Sequence, residues 1–269
     1  LDLEPDRIVV SRGLPAADAT RAVIERLGGM SRFVRPGETV AIKPNIGWDR
    51  TPAQAANTNP EVVAALILLC RQAGAKQVLI TDVSCNDPRR SFTRSGIWQA
   101  TEEAGGIVVL PAEHRLRERD IGGQILGRMP VLTPVLAADR LINVPVAKHH
   151  GLSRFTGAMK NLYGLLGGRR NRLHQRIDES IADLADFAKA TLTVMDATRV
   201  LVRSGPQGGS LDDVENVGEV IAGVDPVAID AYTCRHVGLS PSDLPYLWLA
   251  SAREIGQAEL TKARIEEIG

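Results

Sequence analysis

Two lysines, two adjacent histidines and a run of arginines fall between Lys148 and Ile177, in a segment without any Asp or Glu. Its basic residues are Lys148, Arg154, Lys160, Arg169, Arg170, Arg172 and Arg176. In a chain whose 32 Lys and Arg balance 32 Asp and Glu, this local excess calls for an anion. From Thr156 onward the spacing predicts a helix capped by the Thr156 hydroxyl, with Ala158, Met159, Leu162, Tyr163, Leu165 and Leu166 on its buried face. Lys160 and Asn161 are then left near the N-terminal turn. A lysine there opposes the helix dipole at a cost of about 0.3–1 kcal/mol. An anion held by the helix amides, Gly157 among them, and by Lys160 reverses that cost.

The histidines admit two readings. His150, with an unperturbed pKa near ~6.5, suits acid/base work, with Asp82 or Asp196 as its carboxylate partner. Cys85, His150 and His174 are alternatively the ligands of a metal ion, although no recognised metal spacing joins them. Adjacent residues in extended chain point to opposite sides, so one of His149 and His150 faces a cleft. The sequence contains no GxGxxG after the first strand, no GxxxxGK[ST], no GxSxG and no CxxC. The common dinucleotide, P-loop, hydrolase-elbow and iron–sulfur signatures are therefore missing.

These residues need a scaffold. Short β-branched runs at residues 7–11, 39–42, 77–81 and 107–110 alternate with helical patterns at 16–27, 60–73 and 91–104. That order predicts an α/β fold, a mainly parallel sheet flanked by helices. Residues 111–131 read as a small β-ribbon insertion, a candidate subdomain within a single domain of residues 1–269. Further on, residues 134–139 read as a short helix, 140–146 as a strand, 178–190 as a helix and 191–195 as a strand. Residues 219–224 read as the last strand, followed by helices at 227–237 and 244–255.

Lys43 and Asn45, Asp82, Lys148 and His150, Asp196, and Asp225 all fall at expected strand ends, where ligands of open α/β sheets bind. Asp225 precedes a proline and reads equally well as a helix cap. Lys43, Lys160 and nearby arginines would neutralise the ligand, Asn45 and Asn161 would orient it, and Lys148 is a further binding candidate. Gly208, in the loop SGPQGG, is a candidate backbone contact. The polar loop 46–59 carries Trp48 and several amides and reads as a binding loop or as ordinary solvated surface.

The chain's neutrality argues against a general nucleic-acid or membrane-surface binder. The longest apolar run, residues 62–70, is about half of what a membrane-spanning helix needs. Its three cysteines suggest no disulfide framework. No secretory signal is visible, and the chain begins with Leu1 instead of Met. A cytoplasmic protein and one exported after folding both fit. The partner expected is a small anionic ligand, and the sequence sets no oligomeric state.

The segments VAIKPNIG (40–47), NTNPEVVAAL (57–66), AGAKQVLITD (73–82), LINVPVAKHHGLSRFTGAMKNLYG (141–164), LTVMDATR (192–199), GPQGG (205–209) and VIAGVDPVAIDAY (220–232) resemble, in order, the family known as domain of unknown function 362. Relatives in that family carry a ferredoxin-like module, missing here, or a twin-arginine export signal. GLSRFTGAMKNLYG is also similar in style to the glycine-rich segment of lactate-racemase-type domains. That second resemblance implies a phosphorylated nickel-pincer nucleotide and hydride transfer at a 2-hydroxy acid, hence racemase- or oxidoreductase-like chemistry. Lys160 would then hold the cofactor or its phosphate, and His150 would move a proton. The chain departs by lacking the longer second domain and the full histidine set. The expectation is an enzyme acting on a phosphorylated or carboxylated molecule; the alternative is a non-catalytic protein carrying a metal, iron–sulfur group or other cofactor.

Overall fold

The computed structural model describes residues 4–168 and 170–269, so Arg169 of the basic cluster lies outside the described residues. The first part alternates strand and helix: β1 (Arg7–Arg12), α1 (Ala16–Arg26), β2 (Thr39–Pro44), α2 (Pro60–Gln72), β3 (Gln77–Ile80), α3 (Pro88–Arg94), α4 (Ile97–Glu103) and β4 (Ile107–Val108). There follow β5 (Leu116–Asp120), β6 (Arg128–Leu132), α5 (Thr133–Ala137), β7 (Arg140–Val144), β8 (Val146–His150), β9 (Arg154–Thr156) and α6 (Ala158–Asn161). The last part holds α7 (Ile177–Ala188), β10 (Leu192–Leu201), β11 (Val214–Glu215), β12 (Glu219–Gly223), α8 (Pro226–Thr233), α9 (Pro245–Ala252) and β13 (Arg264–Ile268).

Eleven strands form one mixed sheet in the order β13-β1-β12-β10-β7-β2-β3-β4, with β8 and β11 paired to β10 and β9 to β8. From β10 to β4 every neighbour is parallel. β12 runs antiparallel between β1 and β10. Side chains alternate across the strands, and both faces are covered. Ile8, Val10, Ala41 and Met195 pack with the helices α6 to α9. Val9, Val40, Ile42 and Val194 pack with α1 to α4 on the other face. The β5–β6 ribbon is a separate antiparallel sheet, in register from Leu116↔Leu132 to Asp120↔Arg128.

Four expectations change. The single helix at 91–104 is two, because Gly96 takes a left-handed φ of 74° at the start of α4. The strand at 140–146 breaks at Pro145, and β8 carries Lys148, His149 and His150 inside a strand, not past its end. β10 continues through Asp196 to Leu201, so Asp196 is an interior strand residue. β12 is not the last strand: β13 returns to pair with β1, and Asp225, following a reversed strand, lies at the opposite end of the sheet from Asp82.

Candidate active site

A cavity of about 570 Å³ opens where β2, β3 and β8 end, with α6 and the turns after it as a further wall. Among the described residues its charged lining consists of Lys43, Lys148, Lys160 and Arg170 against the single carboxylate Asp82. Asn45, Trp48, Cys85, His150, Thr156, Asn161 and His174 also line it. Most of the residues singled out from sequence therefore meet in one place.

The floor is a closed hydrogen-bond network. Lys43 Nζ is ion-paired with Asp82 Oδ1 at 2.7 Å and donates to the Pro44 carbonyl at 2.7 Å and to Asn161 Oδ1 at 3.0 Å. Asp82 Oδ2 accepts the Ile46 amide at 2.6 Å. Asn161 Oδ1 also accepts from Asn45 Nδ2 at 3.0 Å, and Asn45 Oδ1 accepts from Lys148 Nζ at 3.0 Å. Asn161 Nδ2 donates to Asn143 Oδ1 at 2.8 Å, and Asn143 Nδ2 donates to the Ala158 carbonyl at 2.8 Å. Asp82 is thus the counter-ion of Lys43, not a partner of His150. Gly164 makes the pair possible: a Cβ there would overlap the Asp82 carboxylate and lie 2.7 Å from Lys43 Cε and Nζ.

The other cations have no such counter-ion. Lys148 Nζ is buried and, among the described residues, bonds only Asn45 Oδ1 and, at 2.5 Å, the Ala56 carbonyl. The Lys160 ammonium makes no hydrogen bond or ion pair among the described residues and lies 3.7 Å from the centroid of the Tyr163 ring. Burial, the largest cause in both, lowers each lysine from its ordinary 10.5 to about 7. Arg170 donates only to carbonyls, those of Val83 at 2.9 Å, Tyr163 at 3.2 Å and Ser84 at 3.2 Å. Beside them the Thr156 hydroxyl is buried without a partner.

His150 differs from its free-imidazole expectation. Its Nδ1 accepts two backbone amides, Leu152 at 3.0 Å and Ser153 at 3.1 Å. That assignment places the proton of the neutral ring on Nε2. Burial first, then the Lys160 and Lys148 charges, lower its pKa to about 3. The ring is a neutral donor, since Nδ1 can take a proton only by giving up both amides. His149, on the other side of β8, accepts the Gly205 amide at 3.2 Å.

The helix N-terminus reserved for a ligand anion is already filled. Asp230, inside α8, accepts the Ala158 amide at 2.5 Å and the Met159 amide at 3.1 Å. Thr156 therefore does not cap the helix, and Gly157 has a structural task, because a Cβ there would overlap the Asp230 carboxylate. α6 is also short, continuing as a 3-10 turn over Leu162–Leu165. Desolvation raises Asp230 to about 7. Asp230→Ala should lower unfolding free energy by about 2–3 kcal/mol, by stranding two buried amides. Urea denaturation checks this, and an unchanged midpoint would remove Asp230 from the scaffold of the site.

Several expected residues lie elsewhere. Asp196 is outside the cavity: it accepts the Asn59 amide at 2.7 Å and both the amide and hydroxyl of Thr198, fixing the start of α2 to β10. Gly208 does not line the cavity; its carbonyl faces Arg50 at 3.5 Å. Asp225 caps α8 through the Val227 and Ala228 amides at 2.8 and 3.0 Å. Cys85, His150 and His174 share the cavity wall, and the two imidazoles stack at 6.3 Å. Among the described residues no group of three or more His, Cys, Asp or Glu is placed to hold a metal ion. Sequence reading missed Asn143 and Asp230, although each is a lone amide or acid in an otherwise apolar strand or helix, RLINV and PVAIDAYT. Arg170 was named only within the basic cluster, and folding is what separates it from its neighbours and places it on the cavity wall.

Fold and cavity define an α/β protein with a cation-lined cleft at the carboxyl ends of its parallel strands. The family described as Domain of unknown function (DUF362) is matched over residues 40–235. The chain belongs to that family. It is 27% identical over 253 residues to a thylakoid-associated protein of Synechocystis sp., covering 90% of this chain and 76% of that one. Among solved structures it is similar to the lactate racemase apoprotein of Thermoanaerobacterium thermosaccharolyticum, with a TM-score of 0.50, 15% identity and coverage of 91% of this chain. A crystal structure of a Thermotoga maritima protein gives a TM-score of 0.49 with 11% identity over 84% of this chain. The chain spans 60% of the length of each of these two structures, and the likeness to the racemase apoprotein bears on the fold alone.

Proposed function

We propose that the chain is an enzyme whose cavity binds a phosphorylated or carboxylated small molecule. One observation carries this reading: two buried ammonium groups, Lys148 and Lys160, line a cavity whose only lining carboxylate among the described residues is engaged by Lys43. Buried charges are ordinarily paired, so a cavity with spare cations is completed by an anion from solution. Lys160 and Arg170 contact the ligand's charge, the Thr156 hydroxyl adds a neutral hydrogen bond, and His150 Nε2–H donates to a ligand oxygen. A donor of that kind stabilises negative charge that develops on a carbonyl or phosphoryl oxygen.

A nickel-pincer nucleotide, implied by the resemblance to lactate-racemase-type domains, is met in part. The spare cations and Thr156 suit its phosphate, and bound there it would supply hydride-accepting chemistry. The described residues give its metal no ligand set. The same finding leaves the metal-carrier alternative without a donor cluster.

Titration calorimetry with inorganic phosphate at pH 6.5 tests the reading. Lys160→Ala should weaken phosphate by about 10- to 100-fold, the worth of a charge-assisted bond of ~1.5–3 kcal/mol, with an unchanged circular dichroism spectrum. Equal affinity in wild type and variant would sink it.

A further inference from the structure

The β5–β6 ribbon has no part in the polar site, yet it walls a second cleft of about 550 Å³. Val83 and Gly168 line both the cleft and the cation-lined cavity. The cleft's apolar wall is Val83, Pro88, Pro111, Ala112, Leu116 and Pro130, and its charged lining among the described residues is Glu113 and Glu118. No described lysine or arginine lines it. The ribbon is fastened at both ends. At its base Gly167 donates to the Pro130 carbonyl at 2.8 Å, and Val131 bridges Leu166. At its tip Asp183 of α7 accepts the Gln124, Ile125 and Leu126 amides at 3.0, 2.7 and 3.0 Å and pairs with Arg253 at 2.6 Å. The cleft is therefore a fixed wall, joined by the 166–168 turn to the segment that carries Lys160.

We propose that this cleft is the subsite for an uncharged apolar body on the same ligand whose anionic group lies against Lys160 and Arg170. The inference rests on the anion reading above and adds the substrate class: an organic phosphate or carboxylate with one charged end and an apolar remainder. Three observations carry it. The two spaces share a boundary. Arg170, which would hold the anion, is itself fixed on the Val83 carbonyl at that boundary. Glu113 and Glu118, which line the cleft, repel a second anionic group there, which disfavours ligands charged at both ends. Burying an apolar body against proline and leucine adds affinity without further polar contacts.

Calorimetry on the intact chain compares inorganic phosphate with phenyl phosphate in wild type, Leu116→Asp, Ala112→Trp and Trp48→Ala. Leu116→Asp puts a charge into the cleft, and Ala112→Trp fills it from a half-buried loop position. The expected result is at least tenfold tighter binding of phenyl phosphate by wild type. That ratio should fall to about one in both ribbon-side variants, with inorganic phosphate within twofold of wild type, and persist in Trp48→Ala. Equal affinity of the two probes for wild type, or a ratio lost only in Trp48→Ala, overturns the subsite while phosphate binding keeps the anion reading. Failure of inorganic phosphate itself to bind wild type overturns both.

Discussion

Asp82→Ala should cost about 3–5 kcal/mol of stability, the usual penalty for leaving one partner of a buried ion pair alone. The two side chains are 1% and 3% exposed, and the contact is 2.7 Å. Burial already lowers the Lys43 pKa, and Asp82 is the first force opposing that shift. Removing the carboxylate also strands the Ile46 amide that Oδ2 accepts. The lysine would then lose its proton or draw water into the floor of the cavity. Urea denaturation of wild type, Asp82→Ala and the double variant Lys43→Met/Asp82→Leu measures it. The double variant should recover much of the loss, because it removes both charges instead of one. A single variant as stable as wild type would mean that the pair contributes nothing to the fold.

The second large effect is a pH dependence. Lys148 and Lys160 each stand at about 7, and a bound anion favours the ammonium form of both. Sulfate keeps a constant charge from pH 6 to 9 and is the suitable probe. Its affinity should be flat below pH 6.5 and then fall with rising pH, by up to about tenfold per unit for each lysine and so up to about a hundredfold per unit for two. Lys148→Met should reduce the slope to that of one lysine. Stability moves in the opposite direction. Both folded values lie below the ordinary 10.5, so between about 7 and 10.5 the unfolded chain holds more protons, and the lysine contribution to stability rises with pH. Calorimetric titration with sulfate across pH 6–9 decides; a flat profile would show that neither ammonium meets the ligand.

Much of the scaffold was legible because it is locally written. β-branched runs of four to six residues between glycine- or proline-marked turns gave β1, β2 and β3, and Asn59-Pro60-Glu61 announced α2, whose cap accepts the Glu61 amide at 3.1 Å. The site was legible as a set of residue types at strand ends. Its wiring was not, because it joins positions far apart in the chain. Asp230 caps a helix 72 residues earlier, and Asp196 holds an amide 137 residues earlier. Asp196 read as free in sequence and Asp230 drew no reading at all, and each is occupied by the fold. The reading of Asp196 as a strand end failed for the same reason: a polar residue interrupts an apolar run, yet its backbone stays in the sheet because Asn59 and Thr198 satisfy its side chain. His150 was misjudged through its turn, whose two amides fix its lone pair.

The amide floor admits only one assignment of its hydrogens. The ammoniums of Lys43 and Lys148 can only donate, and the Ala158 carbonyl at the far end can only accept. Lys148 fixes which end of Asn45 faces it, Asn45 and Lys43 fix Asn161, and Asn161 fixes Asn143. No amide can flip without breaking a bond to its neighbour, so the floor has no degenerate states to lose when a ligand arrives. It is a set of frozen dipoles that cannot turn to screen an incoming charge. The response to that charge must come from the walls, from the Lys160 stem and the Arg170 guanidinium, while the floor stays as a fixed reference for where the ligand's polar atoms are placed.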